Sequence, residues 1–287
     1  MIAGRETGKP ASKTAGPIMT VSDVSGTAAQ GLDAAARRLR EAYGGAVLAP
    51  LRDVLAPTDV AAAYAIQQIN TRFWQAAGRR IAGRKIGLTA EAVQRQLGVD
   101  RPDYGVLFAD MQLADGAALP ASRLIQPKAE AEVAIVMARD LSDPNATPED
   151  VAAAAECAVA AIEIVDSRIE GWKISFADTV ADNGSSAFFV LGKDRKPLPG
   201  LDLRTCGMAL ELNGKVASLG AGVACMGHPL IAAAWLARTL AGMGEGLKAG
   251  DVVLTGALGP MVTLNPGDRV EAAVGGLGSV SFTLEAS

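Results

Sequence analysis

Three acidic residues occupy places where a chain ordinarily avoids charge. In residues 127–137, PKAEAEVAIVM, Glu130 and Glu132 stand two positions apart at the head of an apolar run. In AVAAIEIVDSRI, Glu163 is flanked by Ile162, Ile164 and Val165. Positions i and i+2 of a strand share one face, so Glu130 and Glu132 point the same way. Like charges side by side repel, and an ionised carboxylate in apolar surroundings is costly without compensation. One solution is a divalent cation held by all three acids. The other is an open, solvated strand face for the pair, with Glu163 bonded to Arg168. Oxygen donors suit magnesium, manganese or calcium, whereas zinc ordinarily recruits His or Cys. The chain has one histidine, His228, and three widely spaced cysteines, Cys157, Cys206 and Cys225, with no CxxC. Any metal would therefore be held mainly by oxygen, and no disulfide framework is suggested.

The elements that must position these acids are legible from periodicity. Residues 27–43 place Leu32, Ala35, Ala36 and Leu39 at helical spacing. Pro57-Thr58-Asp59 opens a second helix, with Thr58 or Asp59 as its cap and Gly78 as its stop. A strand-like segment around Ile81 and Ile86 follows, then a helix over AEAVQRQLG, ending at Gly98. From residue 105 the texture changes to short apolar runs broken by Gly, Pro, Asp and Asn. YGVLFADM, AEVAIVMARDL, AAIEIVDSRI, SAFFVLG, MALELNGKVASLG, GDVVLTGALG and GDRVEAAVGGLGSVSFTL read as strands and hairpins. TPEDVAAAAECAVA and HPLIAAAWLARTLAG read as helices, the first with a Pro-first, acid-rich start. His228 reads as the entry residue of the second.

The fold class is α+β. A flexible tail is expected over residues 1–25, where Met19 could be the natural start. A small N-terminal α/β domain is expected over 26–90 and a larger β-rich domain over 91–287. The 287 residues carry 27 Lys plus Arg against 31 Asp plus Glu, a net charge of -4, and only 4% aromatics. That balance argues against nucleic acid and acidic membranes as partners. No apolar run of membrane-spanning length and no secretory h-region is present, so a cytoplasmic protein is expected.

Longer motifs sharpen the reading. KIGLTAEAVQRQLGV (85–99), PDYGVLF (102–108), PKAEAEVAIVM, AIEIVDSRIEGWKI (161–174) and DTVADNGSSAFFVLG (178–192) occur in order. Together they resemble the 2-keto-4-pentenoate hydratases of the fumarylacetoacetate hydrolase superfamily, whose relatives include the 4-oxalocrotonate decarboxylases. The resemblance runs from about residue 30 to the C-terminus. It implies a mixed β-roll behind a small helical N-terminal domain. Glu130, Glu132 and Glu163 fall on the family's magnesium or manganese ligands. Lys85 matches the active-site lysine, which would contact a substrate carboxylate or move a proton if its pKa were lowered. Asp103 matches an acid proposed for acid/base or water-positioning work.

The TVADNGSS loop holds Asp182, Asn183, Ser185 and Ser186; Ser185 is the candidate to contact substrate catalytically and Asn183 to bind it. Asp166, Arg168 and Lys173 are expected to pair around the ligands. Thr255 and Gly256, in TGALGPMV, are expected along one pocket wall. The implied substrate is a small 2-hydroxydienoic or 2-oxo acid, hydrated after ring cleavage of aromatics. The same features fit a decarboxylase or a stabilising subunit, and a homo-oligomer or a complex with a related decarboxylase is expected.

Overall fold

The computed structural model describes residues 26–90, 94–95 and 98–286. The tail expected over 1–25 lies outside the described residues, as do residues 91–93, 96 and 97 of the helix expected over 90–98.

Two helices, α1 (Gly26–Ala42) and α2 (Val60–Ala76), precede the strands. Leu32, Ala35, Ala36 and Leu39 of α1 are buried as one stripe, as their spacing requires. Asp59 caps α2, its Oδ1 accepting from the Ala62 N–H at 3.0 Å. Buried Gln67 then ties this layer to the rest. Its Nε2 donates to the carbonyls of Tyr104 and Val180, both at 2.9 Å.

The strands form two sheets. The larger holds β1 (Ile81–Gly87), β2 (Asp103–Phe108), β3 (Gln112–Leu113), β5 (Lys128–Met137), β6 (Ala155–Val165), β7 (Ser186–Leu191) and β10 (Val252–Ala257). Its order is β2-β1-β10-β5-β6-β7-β3, with the short β11 (Val262–Thr263) paired to β5. The smaller comprises β4 (Ala117–Leu119), β8 (Gly207–Leu212), β9 (Lys215–Ala221), β12 (Arg269–Val274) and β13 (Gly278–Leu284), in the order β4-β13-β12-β8-β9. Val133, Ile135, Ala160 and Ile162 of the large sheet share one core with Val270, Ala272, Val280 and Phe282 of the small one. Covered on both sides, β5, β6 and β10 are apolar almost throughout, which is what makes their acids conspicuous. The seam expected near residue 90 follows β1, and β1 is hydrogen-bonded between β10 and β2.

Three helices connect strands: α3 (Pro148–Ala154), α4 (Phe176–Ala181) and α5 (Pro229–Ala241). Two expectations are corrected here. The helix read over TPEDVAAAAECAVA stops at Ala154, and Ala155 begins β6. Alanine favours helix locally, but ten ladder pairs with β5 and burial from Cys157 onward outweigh that preference. The first part of the TVADNGSS loop is the end of α4, which opens with a Ser175/Asp178 capping box. The stretch 222–241 passes as a membrane span by length and composition. It is broken at His228-Pro229, however, and α5 buries Ala232, Ala233, Leu236, Ala237 and Leu240 in the core. At 13 residues, α5 spans about 20 Å, short of the bilayer core.

Candidate active site

Glu130 and Glu163 stand directly opposite each other on the antiparallel β5–β6 ladder, and Glu132 follows on the same face of β5. One oxygen from each of the three lies within 4.8 Å of the others. Glu132 and Glu163 are fully buried and Glu130 is partly buried, so the solvated-face alternative fails. The Glu163–Arg168 pairing fails too, because Arg168 is bonded to Asp182, Nε to Oδ1 at 2.6 Å. Glu132 Oε1 and both Glu163 carboxylate oxygens have no hydrogen-bond partner among the described residues. Burial, and then the neighbouring Glu163, pushes the Glu130 carboxyl up to about 7. Glu132 and Glu163 are raised as well, burial again leading. An all-oxygen set with unpartnered buried atoms fits a hard divalent cation such as magnesium, manganese or calcium.

Lys85 reaches this cluster from β1, three strand positions away from β6. In a flat sheet the two strands would be about 14 Å apart. Yet Lys85 Nζ lies 3.4 Å from Glu163 Oε2, so the sheet curls around the acids. Nζ also donates to the Gly184 carbonyl at 3.0 Å. Burial alone would lower the Lys85 pKa, but Glu163, Asp103, Glu130 and Glu132 together raise it above its ordinary value. The four acids thus favour the protonated ammonium. Asp103 starts β2 opposite Gly87, with Oδ1 buried and unpartnered among the described residues. Burial raises its carboxyl, and Lys85 opposes that rise.

Several other candidate side chains bond to the protein's own groups. The Asn183 amide is turned onto the Val106 backbone, Oδ1 accepting from N–H at 2.7 Å and Nδ2 donating to the carbonyl at 2.9 Å. The Thr255 hydroxyl donates to the Val133 carbonyl at 2.8 Å inside the sheet. The Gly256 N–H is directed at Glu132 Oε2, 2.7 Å away. The Ser185 hydroxyl is shared with Thr179 Oγ1 at 3.2 Å. Asp166 accepts from the Ile125 and Gln126 N–H groups, and Lys173 makes an exposed pair with Glu170. His228 caps α5, its Nδ1 accepting from the Leu230 N–H.

Four groups escaped the sequence reading. The Gly184 carbonyl carries no side-chain signal. Ser186, buried and adjoining Glu163, was passed over for Ser185. Cys225 donates to the Gly256 carbonyl at 2.8 Å, and Thr89 packs against Gly256. A cleft of about 720 Å³ borders Lys128, Trp172 and Thr263 and is lined by none of the three acids. Chemistry rather than size locates the site.

Comparison with known proteins agrees with this geometry. Residues 82–285 match the family described as fumarylacetoacetate (FAA) hydrolase C-terminal. The chain is 55% identical over 250 residues to 2-keto-4-pentenoate hydratase 1 of Dechloromonas aromatica (strain RCB), covering 87% of this chain and 95% of that one. It is 50% identical over 237 residues to the TodF product hydratase of Pseudomonas putida, covering 83% and 88%. The structure of 4-oxalocrotonate decarboxylase from Pseudomonas putida G7, complexed with magnesium and adipate, matches with a TM-score of 0.84 at 37% identity. That match covers 89% of this chain and 97% of the decarboxylase. The chain belongs to the fumarylacetoacetate hydrolase family, and it is an enzyme of the hydro-lyase kind. Within the family it stands among the 2-keto-4-pentenoate hydratases.

Proposed function

We propose that the protein adds water to 2-hydroxypenta-2,4-dienoate, the enol of 2-oxopent-4-enoate, giving 4-hydroxy-2-oxopentanoate in the meta-cleavage breakdown of aromatics. Magnesium or manganese is its cofactor, held by Glu130, Glu132 and Glu163. The observation that carries this reading is the convergence of three acids, with Glu132 Oε1 and the Glu163 carboxylate lacking hydrogen-bond partners among the described residues and Lys85 and Asp103 beside them. Hydratase names among relatives at about half identity favour hydration over decarboxylation.

A bound divalent ion would act as a Lewis acid toward the 2-oxygen of a chelated 2-oxo acid. The chain's own groups manage the protons. The reaction removes the enol O–H proton and places one on the terminal carbon, leaving a conjugated enone; water then supplies a hydroxyl to carbon 4 and a proton to carbon 3. Lys85, held protonated, is placed to donate to a substrate oxygen and to offset its charge. Asp103, with its carboxyl raised by burial and one oxygen unengaged, is placed to exchange a proton or orient the attacking water. Ser185 and Gly256 act through the backbone that frames Lys85 and Glu132.

A second reading, decarboxylation of 2-oxohex-3-enedioate, draws on the match to the magnesium-bound decarboxylase. Loss of the dienoate ultraviolet absorbance, abolished by EDTA and restored by magnesium or manganese, tests the first. Carbon dioxide release from the hexenedioate without hydration of the pentadienoate would establish the second. Three buried free thiols fit a reducing cytoplasm. Exposed Val216, Leu219 and Val223 along and beside the β9 edge are the surface we assign to self-association or to a related decarboxylase.

A further inference from the structure

The backbone between α4 and β7 is left-handed at three consecutive residues. Asn183, Gly184 and Ser185 have φ of 57°, 62° and 54°. Residues bearing a Cβ resist that region because the Cβ crowds the following carbonyl. Such a run persists only where the surroundings over-determine it. Here they do so from three sides. The Asn183 amide grips Val106 of β2 through both its donor and its acceptor. Arg168 spans the two ends of the turn. Its Nε and backbone N–H bind the Asp182 carboxylate, Nη2 binds the Asp182 carbonyl at 2.8 Å, and Nη1 binds the Ser186 carbonyl at 3.2 Å. The Asp166 N–H donates to the Ser185 carbonyl at 2.7 Å.

What this arrangement delivers is one carbonyl. Gly184 C=O accepts from Lys85 Nζ, while the lysine stem is confined beside the turn. A Cβ at Gly184 would stand 3.0 Å from Lys85 Cδ, and one at Gly105 would stand 3.2 Å from the same atom. At Gly105 such a Cβ would also collide with the Asn183 carbonyl. The turn is therefore both the anchor of the ammonium and one wall of the channel its stem occupies.

We propose that Asn183 and Arg168 are positioning residues, clamping the left-handed turn so that the Gly184 carbonyl holds Lys85 beside Glu163. The effect on turnover rests on the function proposed above; the effect on Lys85 itself does not.

The test compares Asn183→Ala, Asn183→Gly, Asn183→Asp and Arg168→Lys in the manganese-loaded protein. Acylation of Lys85 by an amine-selective ester is followed by mass spectrometry, alongside kcat, KM and manganese affinity. In Asn183→Ala and Asn183→Gly, Lys85 is expected to label faster and kcat to fall on the order of a hundredfold, as for a misplaced catalytic group. KM and manganese affinity should stay within about threefold. Asn183→Asp keeps the acceptor for the Val106 N–H and should recover part of the loss. Arg168→Lys keeps the charge but cannot span Asp182 and Ser186, and should reproduce the loss.

Wild-type behaviour of Asn183→Gly would show that backbone permissiveness suffices, and would overturn the clamp. So would unchanged Lys85 labelling in Asn183→Ala, or a loss of manganese binding and folding that neither conservative variant spares. If the wild type hydrates no dienoate, the proposed reaction fails while labelling still decides the clamp.

Discussion

Glu130 and Glu163 face each other across a single antiparallel rung, two carboxylates with side chains on the same face of β5 and β6. Opposed side chains on such a ladder stand about 5 Å apart, and like charges there destabilise the pair. Lys85 makes an ion pair with Glu163. Among the described residues no ion pair to Glu130 is present. Without a divalent ion, then, Glu130 costs stability.

Replacing Glu130 with Gln should therefore have opposite effects on folding and on function. In EDTA the variant is expected to melt at or above the wild-type temperature, by up to about 1 kcal/mol, because one member of a repelling pair is gone. Turnover should vanish, and so should the stabilisation that magnesium or manganese confers on the wild type. Thermal melts with and without metal, alongside the ultraviolet assay, check both halves. Full activity in metal-replete buffer would refute the ligand assignment.

The metal-free protein should be more stable in mild acid than at neutral pH. The Glu130 carboxyl is raised from 4.5 to about 7, and Glu132, Glu163 and Asp103 are raised too. Between the unfolded and folded values the native state holds the extra protons, so stability falls as pH rises through that window. Lys85 adds no slope there, since its raised value and its unfolded value both lie above the window. Melting temperatures in EDTA should decline from about pH 5 to about pH 8, and saturating manganese should flatten the decline. A rising curve in EDTA would contradict the buried acid cluster.

Lys85→Met should separate catalysis from metal binding. Removing the ammonium 3.4 Å from Glu163 frees that carboxylate and removes a repelling charge, so manganese affinity is expected to rise a few-fold. Turnover should fall by about 10²–10⁴-fold, the range for loss of a proton-transfer group. Manganese titration and steady-state kinetics on the same preparation read the two signs. A parallel fall in both would make Lys85 a structural support only.

Gly256→Ala should act on Glu132 at one remove. Gly256 has φ of 108°, and a Cβ there would stand 2.5 Å from Thr89 Cγ2. The backbone must shift, taking its N–H away from Glu132 Oε2. We expect a stability loss of about 1–3 kcal/mol and weaker manganese binding, while Asn183 and Lys85 keep their contacts. Calorimetric metal titration with a thermal melt checks this, and wild-type affinity would show that Glu132 needs no such support.

Local pattern carried the strand assignments furthest where burial and periodicity agree. The same-face placement of Glu130 and Glu132 follows from alternation alone, and β5 confirms it. The α1 stripe, the Asp59 cap and the His228 entry to α5 are local as well. Alanine-rich 155–160 was misread because alanine favours helix locally, while its ladder with β5 is not visible in the segment itself. The Ser175–Asp178 capping box was present in the sequence as S-x-x-D and would have marked α4. That Asn183 and Thr255 bond to the backbone of Val106 and Val133 was not legible, because a polar side chain carries no record of which backbone group it will satisfy.

By itself, then, the sequence determined the chemistry available: three acids in apolar strands, a lysine and an aspartate in glycine-rich contexts, and too little His or Cys for a softer metal site. Alternation along one strand is a property of neighbouring residues, so it needs no tertiary information. Only the folded chain decided that Lys85, three strand positions from Glu163 in the sheet, would touch it, because that contact depends on the curl of the whole sheet. It decided too that a backbone carbonyl at Gly184 would meet the ammonium. Carbonyls are identical at every position, and only packing around a left-handed turn singles one out.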